Sequence, residues 1–149
     1  MQIYVDADAC PVKDEAAKVA ARHSLIIHYV FNSHMRLPFG DNVKRVVVAN
    51  GADAADDWIV EHAKAGDIVV TADVPLAART HTKGAHVIAN NGKPFSADNI
   101  GMALAMRNLM SELREAGGIP GNNPVFTPKD RSRFLQEMEN IIQRASRSA

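Results

Sequence analysis

Aspartates stand at the ends of two predicted strands of this chain. Asp6 and Asp8 follow the apolar run IYV, and Asp73 follows the run DIVVTA. Ligands of an open parallel sheet bind at the carboxyl ends of its strands, so acids at several of these ends can converge. Converging carboxylates repel one another unless a cation joins them. The pattern therefore predicts a metal site that includes Asp6, Asp8 and Asp73.

A further group of acids crowds the start of a predicted helix, in the sequence GADAADDWI. Asp53, Asp56 and Asp57 are spaced i, i+3 and i+4, which places them on neighbouring positions of one helix face. A helix N-terminus favours each acid by only about 0.3–1 kcal/mol, and mutual repulsion reduces that gain. Three acids therefore exceed what capping requires. We expect at least one to bind metal, Asp57 before Asp53, and we expect Asp57 to be catalytic together with Asp6 and Asp73.

The strand-end acids and the single cysteine also have structural explanations. Asp8 suits the cap of a helix behind Pro11, and Asp73 suits the cap of a helix that opens near Pro75. Cys10 lies near a helix N-terminus, where a thiolate would be stabilised. Small buried cysteines are common, however, and no histidine lies near Cys10 in the sequence. We therefore expect its thiol to be structural.

Cations gather at the start of the last predicted helix. Lys129, Arg131 and Arg133 oppose the helix dipole there, and a bound phosphate would reconcile them. A solvated basic face is an equally good explanation, because lysine and arginine are ordinarily exposed and do not require a ligand. With Arg79, which follows the Asp73 motif, they form the predicted substrate-binding set. The absence of an aromatic-rich surface argues against reading bases by stacking.

Short apolar runs alternate with helical patterns along the chain. Runs rich in β-branched residues predict five strands, at 3–5, 25–31, 43–49, 67–72 and 85–89. Helices are predicted at 11–23, 54–65, 75–83 and 97–115, and after the N-cap Thr127. The alternation predicts a three-layer α/β fold with a parallel sheet, helices on both faces and a C-terminal helix. If the strands run in the order 3-2-1-4-5, the first and fourth are neighbours and bring Asp6 and Asp73 together.

Length and composition limit the alternatives. The chain has 149 residues, of which 46% are hydrophobic, so we expect a single domain over 1–149. Its 17 acidic and 17 basic residues argue against a strongly basic nucleic-acid binder, though not against a local basic rim. One cysteine fits a reducing cytoplasm, and no segment approaches the roughly eighteen apolar residues of a membrane span. The oligomeric state stays open, a homodimer included.

Four blocks of the sequence resemble the YaiI/YqxD family of uncharacterised bacterial proteins. They are DADACPV at 6–12, DAADDWI at 53–59, DIVVTADVPLAAR at 67–79 and KDRSRFL at 129–135. The acidic strand ends and the TAD segment are also similar to PIN-like nucleases, which implies cleavage of RNA or DNA with Mg²⁺ or Mn²⁺ held by carboxylates. Asp6 and Asp73 match the strand-end acids of that superfamily. One of the three helix acids would replace the acid of its middle helix.

Three functions follow from these features. The first is a cytoplasmic, metal-dependent nuclease of PIN-like fold that acts on RNA or DNA, with RNA as the expected partner. The second is a phosphatase similar to haloacid dehalogenases, which also place two aspartates as Asp6 and Asp8 are placed, although the residues after Asp8 depart from that pattern. The third is a non-catalytic module that binds RNA or metal.

Overall fold

A five-stranded parallel sheet forms the centre of the computed structural model, which describes residues 1–8, 10–49, 51, 53–115, 117 and 125–148. The strands are β1 (Gln2–Asp6), β2 (Ile26–Phe31), β3 (Val43–Val47), β4 (Ile68–Val70) and β5 (His86–Ile88). They lie in the order β3-β2-β1-β4-β5, and all four pairings are parallel. The predicted order is therefore confirmed, and β1 lies between β2 and β4.

Helices cover both faces of the sheet. They are α1 (Lys13–Arg22), α2 (Ala54–His62), α3 (Val74–Thr82), α4 (Ala97–Glu115) and α5 (Pro128–Ser148). Successive strand residues point to opposite faces, so Ile3 joins one buried cluster and Tyr4 the other. The first cluster packs under α1 and α5, and the second under α2 and α3. The predicted three-layer α/β architecture is thus confirmed.

The starts of two helices show how far local signals reach. At α5, the Thr127 N–H donates to Asp130 Oδ2 at 3.0 Å and the Asp130 N–H donates to Thr127 Oγ1 at 3.2 Å, a reciprocal cap. At α1, the prediction of a start at residue 11 is wrong. Pro11 lies in a turn, and the helix begins at Lys13 behind Val12, whose side chain makes no capping hydrogen bond.

The two long helices differ in how much apolar surface they bury. In α5, Phe134, Met138 and Ile141 are buried against the sheet and α1. In α4, Ile100 is buried, whereas Met102 is 77% exposed.

None of the helices in the described part of the chain is long and apolar enough to cross a membrane.

Candidate functional site

The carboxyl edge of the sheet, where β1 and β4 end, holds two of the predicted acids. Asp6 is the last residue of β1, and β1 pairs with β4 in the register Val5 to Val70. Thr71 therefore follows β4 beside Asp6, and its hydroxyl donates to Asp6 Oδ2 at 2.9 Å. The Asp73 N–H donates to the same hydroxyl oxygen at 2.9 Å. Strand pairing thus brings Asp6 and Asp73 to one place, as the strand order predicts.

Asp73 also caps a helix. Its Oδ1 accepts the N–H of Leu76 at 2.9 Å, and Pro75 stands in the first turn of α3. The structural explanation of this residue is therefore correct for one carboxylate oxygen. The other oxygen accepts no hydrogen bond among the described residues, so it remains available to a ligand.

The three acids at the start of α2 point in different directions. Asp57 Oδ1 lies 2.9 Å from Arg79 Nη1, in an ion pair that is about half exposed. Asp53 is the N-cap residue, but its side chain makes no capping hydrogen bond and the residue is exposed. Asp56 is partly buried, and the charges of Asp73 and Asp6 act on it. The structure therefore turns Asp57 away and gives Asp56 the inner position that the sequence assigned to Asp57.

Electrostatics set Asp56 apart from its neighbours on α2. Burial is the largest cause that raises its pKa, which reaches about 6. The charges that act on it, in order of effect, are those of Asp73, Asp6 and Asp53, which raise its pKa, and that of Arg79, which lowers it. A carboxylate whose charged form is disfavoured by other carboxylates gains from a nearby cation.

The pKa of Asp6 is raised by the same kinds of cause. Burial is again the first cause that raises its pKa, and the hydrogen bond from Thr71 opposes that effect. The charges of Asp73 and Asp8 then raise the pKa further. We call Asp6, Asp56 and Asp73 the acid cluster, because they come from three segments and their charges act on one another.

Asp8 lies beside the acid cluster but is held by a loop. Its Oδ1 accepts a hydrogen bond from the Ser33 hydroxyl, and its Oδ2 accepts the N–H of Asn32 at 3.1 Å. The structural alternative, in which Asp8 caps the helix behind Pro11, is therefore wrong. Asp8 instead fixes the start of the connection between β2 and β3.

The acid cluster fits a divalent cation in chemistry but is not a closed coordination shell. Carboxylate oxygens are the ligands that Mg²⁺ and Mn²⁺ prefer. Across the described residues, however, no three histidine, cysteine or acidic side chains stand close enough to hold a metal ion as they are placed. Metal binding by Asp6, Asp8, Asp53, Asp57 and Asp73 therefore stays a prediction, and on α2 the position of Asp56 makes it a better candidate than Asp57, which is exposed and paired with Arg79.

Ion pairs explain two of the three cations at the start of α5. Arg131 Nε lies 3.2 Å from Glu15 Oε1 on α1, and Arg133 Nη1 lies 3.6 Å from Asp130 Oδ1 one turn earlier. Lys129 is exposed and makes no ion pair among the described residues. The ordinary explanation of a solvated, paired basic face is thus sufficient for Arg131 and Arg133.

The start of α5 nevertheless lies at the carboxyl edge. Gly92 belongs to the turn that follows β5, and a Cβ atom added there would lie 2.5 Å from the carbonyl carbon of Arg133. Gly92 also has a φ of +88°, which side chains rarely adopt. This close approach fixes the basic start of α5 beside the ends of the strands, on the edge that carries the acids.

Four rings from three segments of the chain meet toward the opposite, amino edge of the sheet. Tyr4 stacks on His28 with a centroid distance of 4.6 Å, and Trp58 stacks on His62 at 3.8 Å. The expectation of no aromatic-rich surface is wrong at this place. The one available signal was the spacing of Trp58 and His62, which are four residues apart on one helix.

The chain matches a described family over most of its length. The sequence profile described as "Uncharacterized BCR, YaiI/YqxD family" matches residues 4–144. The chain is 56% identical over 148 residues to a UPF0178 protein of Rhodospirillum rubrum, with 99% of both chains covered. It is 58% identical over 142 residues to a UPF0178 protein of Parvibaculum lavamentivorans, with 95% of this chain and 93% of that one covered.

These similarities show which proteins the chain is related to, but they assign no activity to it. The printed names of the relatives state no substrate, reaction or partner. No solved structure is significantly similar to the chain. On the length of the profile match and the identity of the relatives, the chain belongs to the YaiI/YqxD family.

Proposed function

We propose that this chain is a metal-dependent nuclease that hydrolyses phosphodiester bonds of RNA, with the PIN-like arrangement that its strand-end acids resemble. The observation that carries the proposal is that Asp6 and Asp73 lie together at the carboxyl edge, where their charges act on the partly buried Asp56. A protein that only binds a nucleic-acid backbone gains nothing from acids that face phosphates. A cluster of carboxylates at a ligand-binding edge therefore favours a cation and turnover.

The acid cluster would hold Mg²⁺ or Mn²⁺. When bound, the ion polarises the phosphodiester and lowers the pKa of a water molecule that attacks it. Thr71 orients Asp6 by donating to its Oδ2, which leaves Oδ1 for the ion. The cap of α3 orients Asp73 in the same way, because it engages only Oδ1. Hydrogen bonds to the oxygen atom that does not bind the ion set the direction of a ligand carboxylate.

A protein nucleophile is not needed for this reaction. Burial raises the pKa of the Cys10 thiol to about 11, so the thiol is protonated at neutral pH. Its Sγ lies 3.7 Å from Asn90 Oδ1, a contact that ties the β1–α1 connection to the turn after β5. The structural explanation of Cys10 therefore has the better support.

The basic residues at the carboxyl edge would hold the substrate backbone. Arg79 is about half exposed in its pair with Asp57. An exposed ion pair contributes at most about 1 kcal/mol, so a phosphate can replace the carboxylate partner at little cost. Arg133 could exchange its partner Asp130 in the same way, and Lys129 would add a further positive charge. Phosphate binding by Arg131 stays a prediction, because its partner Glu15 is only 14% exposed and would be left buried without a cation. Cytoplasmic location and RNA as the partner belong to this proposal, and a homodimer stays a prediction.

The phosphatase alternative has less support. It would use Asp6 as the nucleophile and Asp8 as the acid that protonates the leaving group. Both oxygens of Asp8 accept hydrogen bonds from residues 32–33. Asp8 would have to give up both partners to serve as that acid.

End-labelled RNA and p-nitrophenyl phosphate, each incubated with MnCl₂ or with EDTA, separate the three functions. Wild type is expected to cleave the RNA only with the metal. Asp6→Asn and Asp56→Asn should lower the rate by about a hundredfold or more, because charge stabilisation in the transition state is lost. Asp57→Asn is the matched control and should stay active. Turnover of p-nitrophenyl phosphate alone would establish a phosphatase, and turnover of neither substrate would leave the binding module.

A further inference from the structure

A cavity of about 630 Å³ opens near the amino edge of the sheet, on the face covered by α2. Its size lies within the range of small-molecule sites. The residues that matter for its chemistry are Tyr4, His28, Lys44, Trp58, His62 and Lys64. β1 and α2 each contribute to this cavity and to the acid cluster, but neither Asp6 nor Asp56 lines it. The cavity is therefore a separate feature of the molecule.

Two stacked ring pairs form the walls of the cavity. The rings of Tyr4 and His28 are inclined by 8°, and those of Trp58 and His62 by 13°. Trp58 lies 6.0 Å from Tyr4 at 51° and 6.0 Å from His28 at 50°. The two pairs also contact each other at a tilt, and Tyr4 is only 5% exposed, so a base would stack against the less buried rings of Trp58 and His62. Burial lowers the pKa of His28, so its ring is neutral at physiological pH and stacks without a charge to desolvate.

Hydrogen bonds fix the side chains and backbone beneath the rings of the cavity. Asp67 is 8% exposed, and its two oxygens accept the N–H groups of Gln2 and Lys64, each at 2.9 Å. Gln2 Oε1 in turn lies 2.6 Å from His28 Nε2 and accepts from the Tyr4 hydroxyl at 3.4 Å. The side-chain amide NH₂ of Gln2 donates to no described residue. It is available to a carbonyl or ring nitrogen of a ligand.

The charge of the cavity is positive. Lys44 on β3 and Lys64 after α2 line it, and neither ammonium group pairs with a carboxylate among the described residues. Asp67 also lines the cavity, but both of its oxygens are bound to backbone N–H groups. A ligand that fits must therefore offer a flat aromatic ring, polar atoms on its edge and a negative charge. Lysine is a common partner of phosphate.

We infer that this cavity binds a nucleotide, with the base against the rings of Trp58 and His62 and the phosphate against Lys44 and Lys64. Stacking on protein rings is largely independent of base identity, because every base has a π-face. The same chemistry is present in a free mononucleotide and in one nucleotide of an RNA strand. The inference does not depend on the nuclease proposal, because none of these residues belongs to the acid cluster.

Trp58 is the only tryptophan of the chain and therefore reports on the cavity by its fluorescence. Wild type would be titrated with AMP, adenosine, inorganic phosphate and a short oligoadenylate. AMP is expected to quench the fluorescence saturably and to bind about tenfold or more tightly than adenosine, because charged hydrogen bonds are added. Lys44→Met/Lys64→Met should remove that difference. Lys18→Met, an exposed lysine on α1 at the other face, is the matched control and should keep it.

The comparison of ligands identifies the source of the nucleotide. Tighter binding of AMP than of the oligoadenylate would support a free nucleotide, and the reverse would support a strand. No saturable quenching by either would overturn the inference, as would equal affinities for AMP in wild type and in the double lysine variant. Asp6→Asn should bind AMP as wild type does, so a failed nuclease assay and a failed nucleotide site are distinguishable.

Discussion

Asp67 and Asp56 are both withdrawn from solvent at opposite edges of one sheet, but their surroundings differ. Asp67 accepts two backbone N–H groups, from Gln2 and from Lys64. Asp56 accepts no hydrogen bond from the described residues, and acids raise its pKa. A buried carboxylate with satisfied oxygens joins segments of the chain, whereas a carboxylate set among others destabilises the unliganded fold. The contrast teaches that burial alone does not distinguish a carboxylate, whereas partial burial among like charges raises its pKa and makes it a candidate functional acid.

The largest expected effect belongs to Asp67→Ala. The substitution leaves two backbone N–H groups near the start of β1 and β4 without their charged acceptor, so we expect the free energy of unfolding to fall by about 3 kcal/mol. Urea unfolding at neutral pH measures it. Asp57→Ala removes an exposed ion pair and should cost about 0.5 kcal/mol. Equal costs for the two variants would remove the distinction between the edges.

Thr71→Val tests the contact that joins two members of the acid cluster. The hydroxyl of Thr71 donates to Asp6 and accepts from the Asp73 N–H. Its removal from a site that is 1% exposed should lower the free energy of unfolding by about 1–2 kcal/mol. Thr71→Ser keeps the hydroxyl and serves as the control. A valine variant as stable as the serine variant would show that the hydroxyl bridge contributes nothing.

Asp56→Asn is expected to have the opposite sign, and its effect depends on pH. The folded state raises the pKa of Asp56 from 3.8 to about 6, so the folded state binds the proton more tightly than the unfolded state does. The ionised form therefore destabilises the wild type fully above pH 6. That cost is lost as the pH falls from 6 toward 4.

The asparagine variant should accordingly be more stable than wild type at pH 8 and no more stable at pH 4. Because Asp56 is only partly buried, we discount the shift to about 1 kcal/mol, which is about 2–4 °C in melting temperature for a chain of this size. Thermal melts at three pH values measure it. A variant that is destabilised at pH 8 would mean that Asp56 has a stabilising partner, as Asp67 has.

Arg79→Met should change stability least. Its ion pair with Asp57 is exposed, so the expected loss in the free energy of unfolding is about 0.5 kcal/mol or less. If Arg79 holds the substrate backbone, RNA affinity should fall severalfold although stability hardly changes. Fluorescence polarisation with labelled RNA and urea unfolding give the two readouts. Unchanged affinity would assign Arg79 to the surface pair alone.

Most of the fold is predictable because its signals are local. Apolar β-branched runs mark the strands, and Thr127 with Asp130 marks the start of α5 through contacts three residues apart. The start of α1 was not predictable in this way. The N-cap residue Val12 makes no side-chain hydrogen bond to the helix, so the sequence carries no capping signal there. Pro11 alone suggested a start two residues too early.

The site is predictable where strand order or the apolar pattern of a helix determines it. Asp6 and Asp73 meet because β1 and β4 are neighbours. Spacing alone cannot choose between Asp56 and Asp57. The buried residues Ile59 and Ala63 follow Asp56 at three and seven positions, and they mark the side of α2 that faces the sheet. That pattern was present in the sequence and selects Asp56.

The cavity at the amino edge is formed by contacts between residues that are far apart in the sequence. No local sequence pattern predicts these contacts. Its rings come from β1, β2 and α2, and Gln2 bonds to Asp67 across 65 residues of sequence. Of the four rings, only those of Trp58 and His62 share an element. Only the tertiary structure shows that these four rings line one cavity.

The most direct test of the acid cluster is the melting temperature of wild type, Asp56→Asn and Asp57→Asn with and without MnCl₂. Filling a site to a hundred times its dissociation constant adds about 2.7 kcal/mol, whereas a hundredfold weaker site gains about 0.4 kcal/mol. Wild type and Asp57→Asn should therefore gain about 5–10 °C, and Asp56→Asn should gain almost nothing. No gain in wild type, or an equal gain in Asp56→Asn, would contradict a metal site built on Asp6, Asp56 and Asp73.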